Sequence, residues 1–434
     1  MVVEEQAGRA SFVPPAWQPL GGSALRITNV RAICTAPEGI RLVVVKVETS
    51  EDGLYGLGCA TFTQRPLTVV TAVEEYLKPF LIGRDPSDIE DIWHAAQLSS
   101  YWRNGPVLNN ALSGVDQALW DIKGKRAGLP VYELLGGRCR EAAAAYVHAN
   151  GRDPQEVADN VERYIEKGFR HVRCQVEVPG YAAYGVGRKD ADSNAASAFY
   201  RLALDQARWE PRRYCAIVPK LFEELRHRFG AEVELLHDVH ERVPPPMAVQ
   251  LAKALESYQL FFLEDLFAPE DQEYLAMVRL HSSVPLAIGE LHSGPHEYVP
   301  PIVGRLTDFI RAHVSTIGGI TPARKLAALA EFFGIRTAWH GPADVSPVGH
   351  AANLQLDLST PNFGVQEMYE FSDVLQEVFP GCPEIRDGSL WPNGLPGLGI
   401  DIDEDRAAEH PYPDHALNGS WPEIRRADGT VVRP

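Results

Sequence analysis

Three acidic residues recur at a regular interval in the middle of the chain, each at the end of a short apolar run. VELLHD ends in Asp238, LFFLED carries Glu264 and PLAIGE ends in Glu290, at intervals of 264 − 238 = 26 and 290 − 264 = 26 residues. Such an interval fits one strand–helix unit of a parallel barrel, whose strand ends form one ring. Carboxylates that meet there repel each other unless a cation lies between them, and oxygen-only ligands favour Mg²⁺. We therefore predict a magnesium site.

Each of these acidic residues has a simpler explanation as a helix N-cap, because strand-to-helix loops often begin with one. For one carboxylate alone, capping explains the sequence as well as a metal does. Capping does not require a constant repeat on successive strands, so three residues in phase favour the metal site.

Other apolar runs also end in polar residues that could bind a substrate. They are His148, Arg173, Arg311, His340 and Glu367. Taken alone, His148 or His340 is more often a buried core histidine, but their place in this series favours an active site. His240 follows Asp238 by two residues. It is either a loop histidine, a functional group, or a hydrogen-bond partner of a metal ligand.

The elements that carry these residues predict a parallel barrel. Eight apolar runs, from AAAAYVHA to FGVQE, alternate with helical stretches such as DPQEVADNVERYIEKG and TPARKLAALAEFFG. This alternation is typical of a (β/α)8-type barrel, which we place at residues 141–383. The segment 177–215 is too long for an ordinary loop and indicates a lid or an interface.

The remaining residues predict a separate α+β domain. We place it at residues 1–140, with 1–24 as a loose arm rich in proline. LRITNVRAICT and IRLVVVKVETSEDGLYGLGCATF alternate like strands, and SEDG predicts a hairpin turn. TVVTAVEEYLKPFL and NNALSGVDQALWDIKGKRAG have helical periodicity. The Gly/Pro-rich segment 384–434 is expected to return to this domain.

Composition narrows the class of protein. The formal net charge is 41 − 58 = −17, which disfavours nucleic acid and anionic lipid as partners and requires local positive charge for an anionic small-molecule substrate. The six cysteines form no zinc-type cluster, which favours a reducing compartment. The first residues lack a signal-peptide pattern, and no apolar run reaches the roughly 20 residues of a membrane helix. We expect a cytoplasmic protein.

These residues and segments together resemble a known family. A capping domain followed by a barrel with carboxylates on three successive strands is similar to the enolase superfamily. Within it, four segments resemble the mannonate dehydratase group: RNGPVLNNALSGVDQALWDIKGKRAGLPVYELLGG, RCQ, PGYAAYG and HGPADVSPVGHAANLQLD. The resemblance covers nearly the whole chain. It implies a modified (β/α)7β barrel in which Mg²⁺ stabilises the enediolate formed by removing the proton α to a carboxylate.

The resemblance also implies roles for individual residues. Arg173 and Tyr184 would form the base dyad, His240 would protonate the leaving 3-hydroxyl, and Mg²⁺ would be bound by Asp238, Glu264 and Glu290. The substrate would be bound by His148, Arg311, His340, Glu367 and, at its distal end, by Thr63, which stands where an asparagine is expected. The implied reaction dehydrates D-mannonate, D-gluconate or both to 2-keto-3-deoxy-gluconate in a homo-oligomer. Another acid sugar, or a metal-binding regulatory protein with little turnover, remains the alternative.

Other barrel enzymes fit the residues less well. The second strand carries RCQ and so lacks the KxK lysine base used elsewhere in the superfamily, and Arg311 replaces the aspartate of a His–Asp dyad. An amidohydrolase needs HxH on the first strand, where AAAAYVHAN has one histidine. A barrel glycosidase needs two carboxylates and would leave the third unexplained.

Overall fold

The computed structural model describes residues 25–178, 180, 208–413 and 424–433. Within these ranges the chain begins with a three-stranded antiparallel sheet in the order β1–β2–β3. Its strands are β1 (Ile27–Thr35), β2 (Leu42–Thr49) and β3 (Tyr55–Cys59), with a short 3-10 turn at Pro37–Gly39. The hairpin predicted at SEDG is confirmed, since β2 and β3 pair on either side of it.

Helices of the first lobe cover this sheet. They are α1 (Pro66–Thr71), which continues through a π-helical turn (Ala72–Leu77) into α2 (Lys78–Leu81), then α3 (Ile89–Leu98), α4 (Pro106–Ala127) and α5 (Val131–Leu134). Helix α4 ends at Gly128, whose φ of 68° is the left-handed conformation that favours glycine at a helix end. It lies directly on β3, where a Cβ on Gly58 would come within 2.0 Å of the Gly114 carbonyl oxygen.

A closed barrel follows the first lobe. Its strands among the described residues are β4 (Ala143–Gly151), β5 (His171–Val176), β6 (Glu234–Asp238), β7 (Phe262–Glu264), β8 (Leu286–Ile288), β9 (Phe309–Ile310), β10 (Arg336–Thr337) and β11 (Gln366–Glu367). Neighbouring strands within this set of eight are parallel. β11 pairs with β4, and a bridge from Thr337 to Phe363 closes the ring. The eight strands predicted from the sequence are confirmed.

The strands after β7 are shorter than their apolar runs. Glu290 lies two residues beyond the end of β8, Arg311 one beyond β9 and His340 three beyond β10. The apolar pattern continues past the last paired residue because loop residues at the barrel end are buried as well. These three side chains are therefore placed by loop backbone rather than by strand pairing.

Helices pack around the barrel. They are α6 (Pro154–Glu166), α7 (Pro211–Phe229), α8 (Pro245–Leu255), α9 (Leu275–His281), α10 (Pro295–Val303), α11 (Ile320–Phe332), α12 (Pro347–Ser359) and α13 (Asp373–Val378), with 3-10 turns at Glu256–Tyr258 and Pro269–Tyr274. Helix α6 shows why such a helix starts where it does: the Asp153 carboxylate accepts the Glu156 backbone N–H at 2.9 Å. No helix among the described residues is long and apolar enough to span a membrane.

The C-terminal segment touches both parts of the molecule. Strands β12 (Glu384–Arg386) and β13 (Ser389–Trp391) form a hairpin, and β13 pairs antiparallel with β4. Further on, Glu404, the first residue of α14 (Glu404–Ala408), pairs with Arg31 at 2.6 Å and Lys46 at 2.7 Å in the first lobe. The last strands, β14 (Ile424–Arg425) and β15 (Val431–Val432), form a hairpin of their own.

A buried carboxylate joins the two lobes and gives the fold a pH dependence. Asp116 of α4 accepts the backbone N–H of Thr321, at the start of α11, at 2.9 Å. Burial raises the pKa of Asp116 to about 7, well above its ordinary value. The unfolded chain therefore loses this proton at a lower pH than the folded chain. The stability that Asp116 contributes is complete below its unfolded pKa and is lost as the pH rises through about 7.

Asp116→Asn should therefore remove this part of the pH dependence. We expect the variant to gain more thermal stability relative to the parent at about pH 8 than at about pH 5, where the folded group is still protonated. Thermal melts at both pH values test this. Asp91→Asn is the control, because the Asp91 side chain is 78% exposed. Equal gains at both pH values would contradict the expectation.

Candidate active site

The carboxyl ends of the barrel strands bring the expected residues together. Asp238 and Glu264 are the last residues of β6 and β7 and are partners in register, so they lie side by side. His148 and Arg173 are likewise opposite each other on β4 and β5. Glu367 ends β11, next to Tyr146 of β4. Strand register thus forms this part of the predicted ring, while Glu290, Arg311 and His340 reach it from the loops beyond their strands.

A compact acidic group lies at the centre of this ring. Glu264, Asp265 and Glu290 each offer a carboxylate oxygen within 4.8 Å of the others. Glu264 is fully buried; its Oε1 lies 2.6 Å from Arg311 Nη1, and its Oε2 has no hydrogen-bond partner within the described part of the chain. Desolvation raises the pKa of Glu264 well above its ordinary value. A buried carboxylate with open lone pairs, beside two others, fits a hard divalent cation.

Asp265 is a residue that the sequence reasoning missed. It directly follows Glu264, and its backbone has a φ of 40°, which turns its side chain toward the same group. Asp238, which was predicted as a ligand, instead accepts a hydrogen bond from Arg173 Nη1 at 3.1 Å through Oδ2. Its other oxygen accepts the backbone N–H of His240 at 2.8 Å. Its role as a ligand stays a prediction, with Asp265 as a competing third ligand.

Arg311 supplies positive charge in contact with this acidic group. Its Nη1 lies 2.6 Å from Glu264 Oε1 and 3.4 Å from Glu290 Oε2, and its Nη2 lies 2.5 Å from Glu367 Oε2. Burial alone would lower the pKa of this guanidinium, but Glu264 and the other carboxylates raise it well above its ordinary value. Arg311 therefore stays charged although its side chain is fully buried.

Arg173 forms a second positive centre. It is buried and contacts Asp238, with Nη2 3.3 Å from His148 Nδ1 and Nη1 3.9 Å from Glu367 Oε1. Burial opposes its charge, but Asp238 and the other carboxylates raise its pKa above the ordinary value. His148 in turn lies 2.8 Å from Glu367 through Nε2. Burial and the nearby Arg173 lower the pKa of His148, which favours its neutral form.

Two histidines face Glu290. His240 Nε2 lies 3.4 Å from Oε1 and His340 Nε2 lies 3.2 Å from Oε2. Burial alone would raise the pKa of Glu290, but His340 and His240 hold it well below its ordinary value. His340 also contacts His313 through the two Nδ1 atoms at 2.8 Å. His313 was not predicted, although DFIRAH, the run that supplied Arg311, ends in it.

The loop that presents His240 has unusual backbone geometry. His240 and Glu241 both have a φ of 54°, in the left-handed region that side chains other than glycine rarely adopt. Each such residue costs on the order of 1–3 kcal/mol and persists only where the surroundings hold it. Strain of this kind concentrates at functional sites, so this turn is part of the candidate site.

A loop of the first lobe contacts the loop after β10. Thr63 Oγ1 donates to Asp344 Oδ2 at 3.3 Å, and Asp344 follows His340 by four residues in the loop after β10. Burial raises the pKa of Asp344. Thr63 therefore lies at the rim of the site, and contact with the substrate stays a prediction. The predicted base Tyr184 lies outside the described residues.

Two family models match the chain. One, described as Enolase C-terminal domain-like, matches residues 156–406. The other, described as the N-terminal domain of mandelate racemase and muconate lactonizing enzyme, matches residues 26–136. Together they cover the capping lobe and most of the barrel. The expected superfamily fold is confirmed.

Individual proteins give a narrower comparison. D-galactonate dehydratase family member RspA of Pantoea ananatis is 53% identical, covering 95% of this chain and 100% of its own length. A D-galactonate dehydratase family member of Catenulispora acidiphila is 50% identical over 99% of this chain and 98% of its own. The crystal structure of an enolase from Pantoea ananatis with bound D-gluconate and Mg superposes with a TM-score of 0.87 at 52% identity, covering 94% of this chain and 100% of that one. The chain therefore belongs to the D-galactonate dehydratase family of the enolase superfamily.

Proposed function

We propose that the protein is a Mg²⁺-dependent dehydratase of acid sugars that acts on D-gluconate, D-mannonate or both and releases 2-keto-3-deoxy-gluconate. The observation that carries this proposal is the convergence of a buried acidic group with Arg173 and Arg311 at one end of the barrel. The names of the relatives and the D-gluconate and Mg bound in the Pantoea structure support it.

The charge distribution supports an anionic substrate. The chain carries a net charge of −17, yet two buried guanidinium groups lie inside the site. A substrate carboxylate would find there the local positive charge that the surface lacks. The histidines and Glu367 around them offer donors and acceptors for hydroxyl groups, as a sugar acid requires.

The carboxylates of the acidic group fit a magnesium ion. Glu264 and Glu290 would hold the ion together with Asp238 or Asp265. When bound, Mg²⁺ supplies a Lewis acid next to the substrate carboxylate and so makes the C2 proton more acidic.

The chain's own groups would move the protons. We assign removal of the C2 proton to Tyr184, assisted by the Arg173 guanidinium, which lowers the pKa of a nearby phenol. His240 would give a proton to the 3-hydroxyl, which leaves as water. The resulting enol becomes the 2-keto acid, so C2 loses its configuration. For that reason D-gluconate and D-mannonate, which differ at C2, give one product.

The test is a screen of the purified protein with Mg²⁺ against C5 and C6 aldonic and aldaric acids. It includes D-gluconate, D-mannonate and D-galactonate and detects 2-keto-3-deoxy acids. We expect turnover of one or two acids that EDTA abolishes. Which epimer is preferred depends on ångström-scale placement of hydroxyl partners, so each acid is measured separately. Tight Mg²⁺ binding without turnover of any acid would instead favour a regulatory, metal-binding role.

Tyr184→Phe should separate the base from the metal site. Loss of a general base costs roughly 100- to 10,000-fold in rate. We expect exchange of the C2 proton with solvent deuterium to fall by that factor while Mg²⁺ affinity stays near that of the parent. Tyr76→Phe is the matched control, because Tyr76 is 71% exposed in the first lobe. Surviving exchange in Tyr184→Phe would assign the base to another group.

The homo-oligomer implied by the resemblance stays a prediction. Light scattering coupled to size exclusion would measure the mass in solution against the chain mass of 47.9 kDa. A mass equal to one chain would contradict it.

A further inference from the structure

The basic segment WEPRRY, residues 209–214, has no role in the function proposed so far. It lies at the start of α7, outside the ring of strand ends. Its two aromatic residues are nevertheless buried: Trp209 is 2% exposed and Tyr214 is 4% exposed. Their rings pack together with centroids 5.4 Å apart. Both side chains reach residues that flank the turn carrying His240.

Trp209 holds the far end of that turn. Its indole Nε1 donates to the carbonyl oxygen of Arg242 at 3.3 Å, two residues after His240. Its backbone N–H donates to the carbonyl oxygen of Arg425 at 2.8 Å, which ties the segment to the C-terminal hairpin. Trp209 thus connects the turn to a separate, folded part of the chain.

Tyr214 holds the near end. Its hydroxyl lies 2.7 Å from His237 Nε2, and His237 Nδ1 lies 2.9 Å from the carbonyl oxygen of Cys174. A carbonyl only accepts, so in the neutral ring Nδ1 carries the hydrogen, Nε2 accepts and Tyr214 donates. This chain links α7, β6 and β5 immediately before Asp238.

The turn between these two contacts needs external support. His240 and Glu241 are both in the left-handed region, with a φ of 54°. The Glu241 N–H donates at 2.7 Å to the carbonyl oxygen of Asp265, in the loop after β7, and the His240 N–H donates to Asp238 Oδ1. A strained backbone persists only when its surroundings fix it, and Trp209 and Tyr214 fix the residues on either side.

We propose that Trp209 and Tyr214 are positioning residues that hold the 238–242 turn, and through it the imidazole of His240, in the orientation that protonates the leaving hydroxyl. This inference rests on the proposed function for the role of His240. The orientation itself can be measured without turnover.

The experiment compares Trp209→Phe and Tyr214→Phe, each of which removes one hydrogen-bond donor and keeps an aromatic ring. Trp120→Phe is the matched control, since Trp120 Nε1 donates to Thr321 Oγ1 at 3.0 Å at the contact between the lobes. The first readout is the NMR signal of the His240 imidazole in histidine-labelled protein. It is assigned by its loss in His240→Asn. The second is the rate of elimination from D-gluconate and D-mannonate with Mg²⁺, set beside C2 exchange in deuterated solvent.

We expect both variants to shift the His240 signal and to slow elimination roughly 10- to 100-fold, with KM and C2 exchange close to the parent. Trp120→Phe should change thermal stability by a similar amount and leave the His240 signal in place. An unchanged His240 signal and an unchanged elimination rate in both variants would overturn the proposal. If the parent neither exchanges nor eliminates, the proposed function fails and the His240 signal alone decides this inference. If Trp209→Phe does not fold, Tyr214→Phe decides it.

Discussion

Glu264→Gln should abolish Mg²⁺ binding without destabilising the metal-free protein. The side chain is fully buried, and desolvation raises the pKa of its carboxyl well above the ordinary value, which favours the neutral form; a neutral amide of the same shape therefore replaces it at little cost to the metal-free protein. Arg311 keeps Glu290 and Glu367 as partners. We expect Mg²⁺ affinity to fall by at least about 100-fold, since a ligand is lost rather than an outer-shell contact. Isothermal titration with Mg²⁺ measures this directly.

Thermal melts provide a second measurement of Mg²⁺ binding by the same variant. A ligand that binds only the folded state raises the melting temperature, so the Mg²⁺-induced rise should vanish in Glu264→Gln while the metal-free value stays level or increases. Glu331→Gln, which removes an exposed carboxylate from α11, should behave like the parent. Comparison of Asp238→Asn with Asp265→Asn then identifies the third ligand. Parent-like Mg²⁺ affinity in Glu264→Gln would contradict the acidic site as a whole.

His240→Asn should stop elimination and leave proton abstraction intact. A general acid contributes roughly 100- to 10,000-fold to the rate, and no other imidazole lies on the same turn. We expect 2-keto-3-deoxy product to fall by that factor while exchange of the C2 proton with deuterium continues. Mass spectrometry of the recovered acid sugar, together with product assay, measures both steps in one sample.

The control for His240 is a histidine far from the barrel end. The side chain of His94 on α3 is 58% exposed, and His94→Asn should retain both steps. If exchange and elimination stopped together in His240→Asn, His240 would take part in removing the C2 proton as well. That outcome would contradict the separate assignment of the acid to His240 and the base to Tyr184.

Much of the framework follows from local pattern. The eight apolar runs marked the barrel strands, and the residues that close β6, β7 and β11, namely Asp238, Glu264 and Glu367, lie at the ends of those strands in the structure. This worked because strand pairing is parallel and in register, so position along a run translates into position at the barrel end. The hairpin at SEDG was predictable because turn chemistry is local.

Local pattern does not determine side-chain positions where the chain leaves the sheet. Glu290 and His340 lie beyond their strands, and their contact at 3.2 Å depends on two loops. Thr63 and Asp344 meet across 281 residues of chain, which no periodicity encodes. The domain division at about residues 140 and 384 stays a proposal. It is supported by the parallel barrel that begins at β4 and by the ion pairs from Glu404 back to the first lobe.

The sequence alone determined which residue types stand at the barrel end, because strand period and apolar runs are properties of neighbouring residues. Only the tertiary structure decided which charges touch. In the structure Asp265 lies beside Glu264 and Glu290. Arg173 donates a hydrogen bond to Asp238, and His313 contacts His340. The physical reason is that a side chain's direction past a strand end is set by loop dihedrals, such as the φ of 40° at Asp265, and by the packing that holds them.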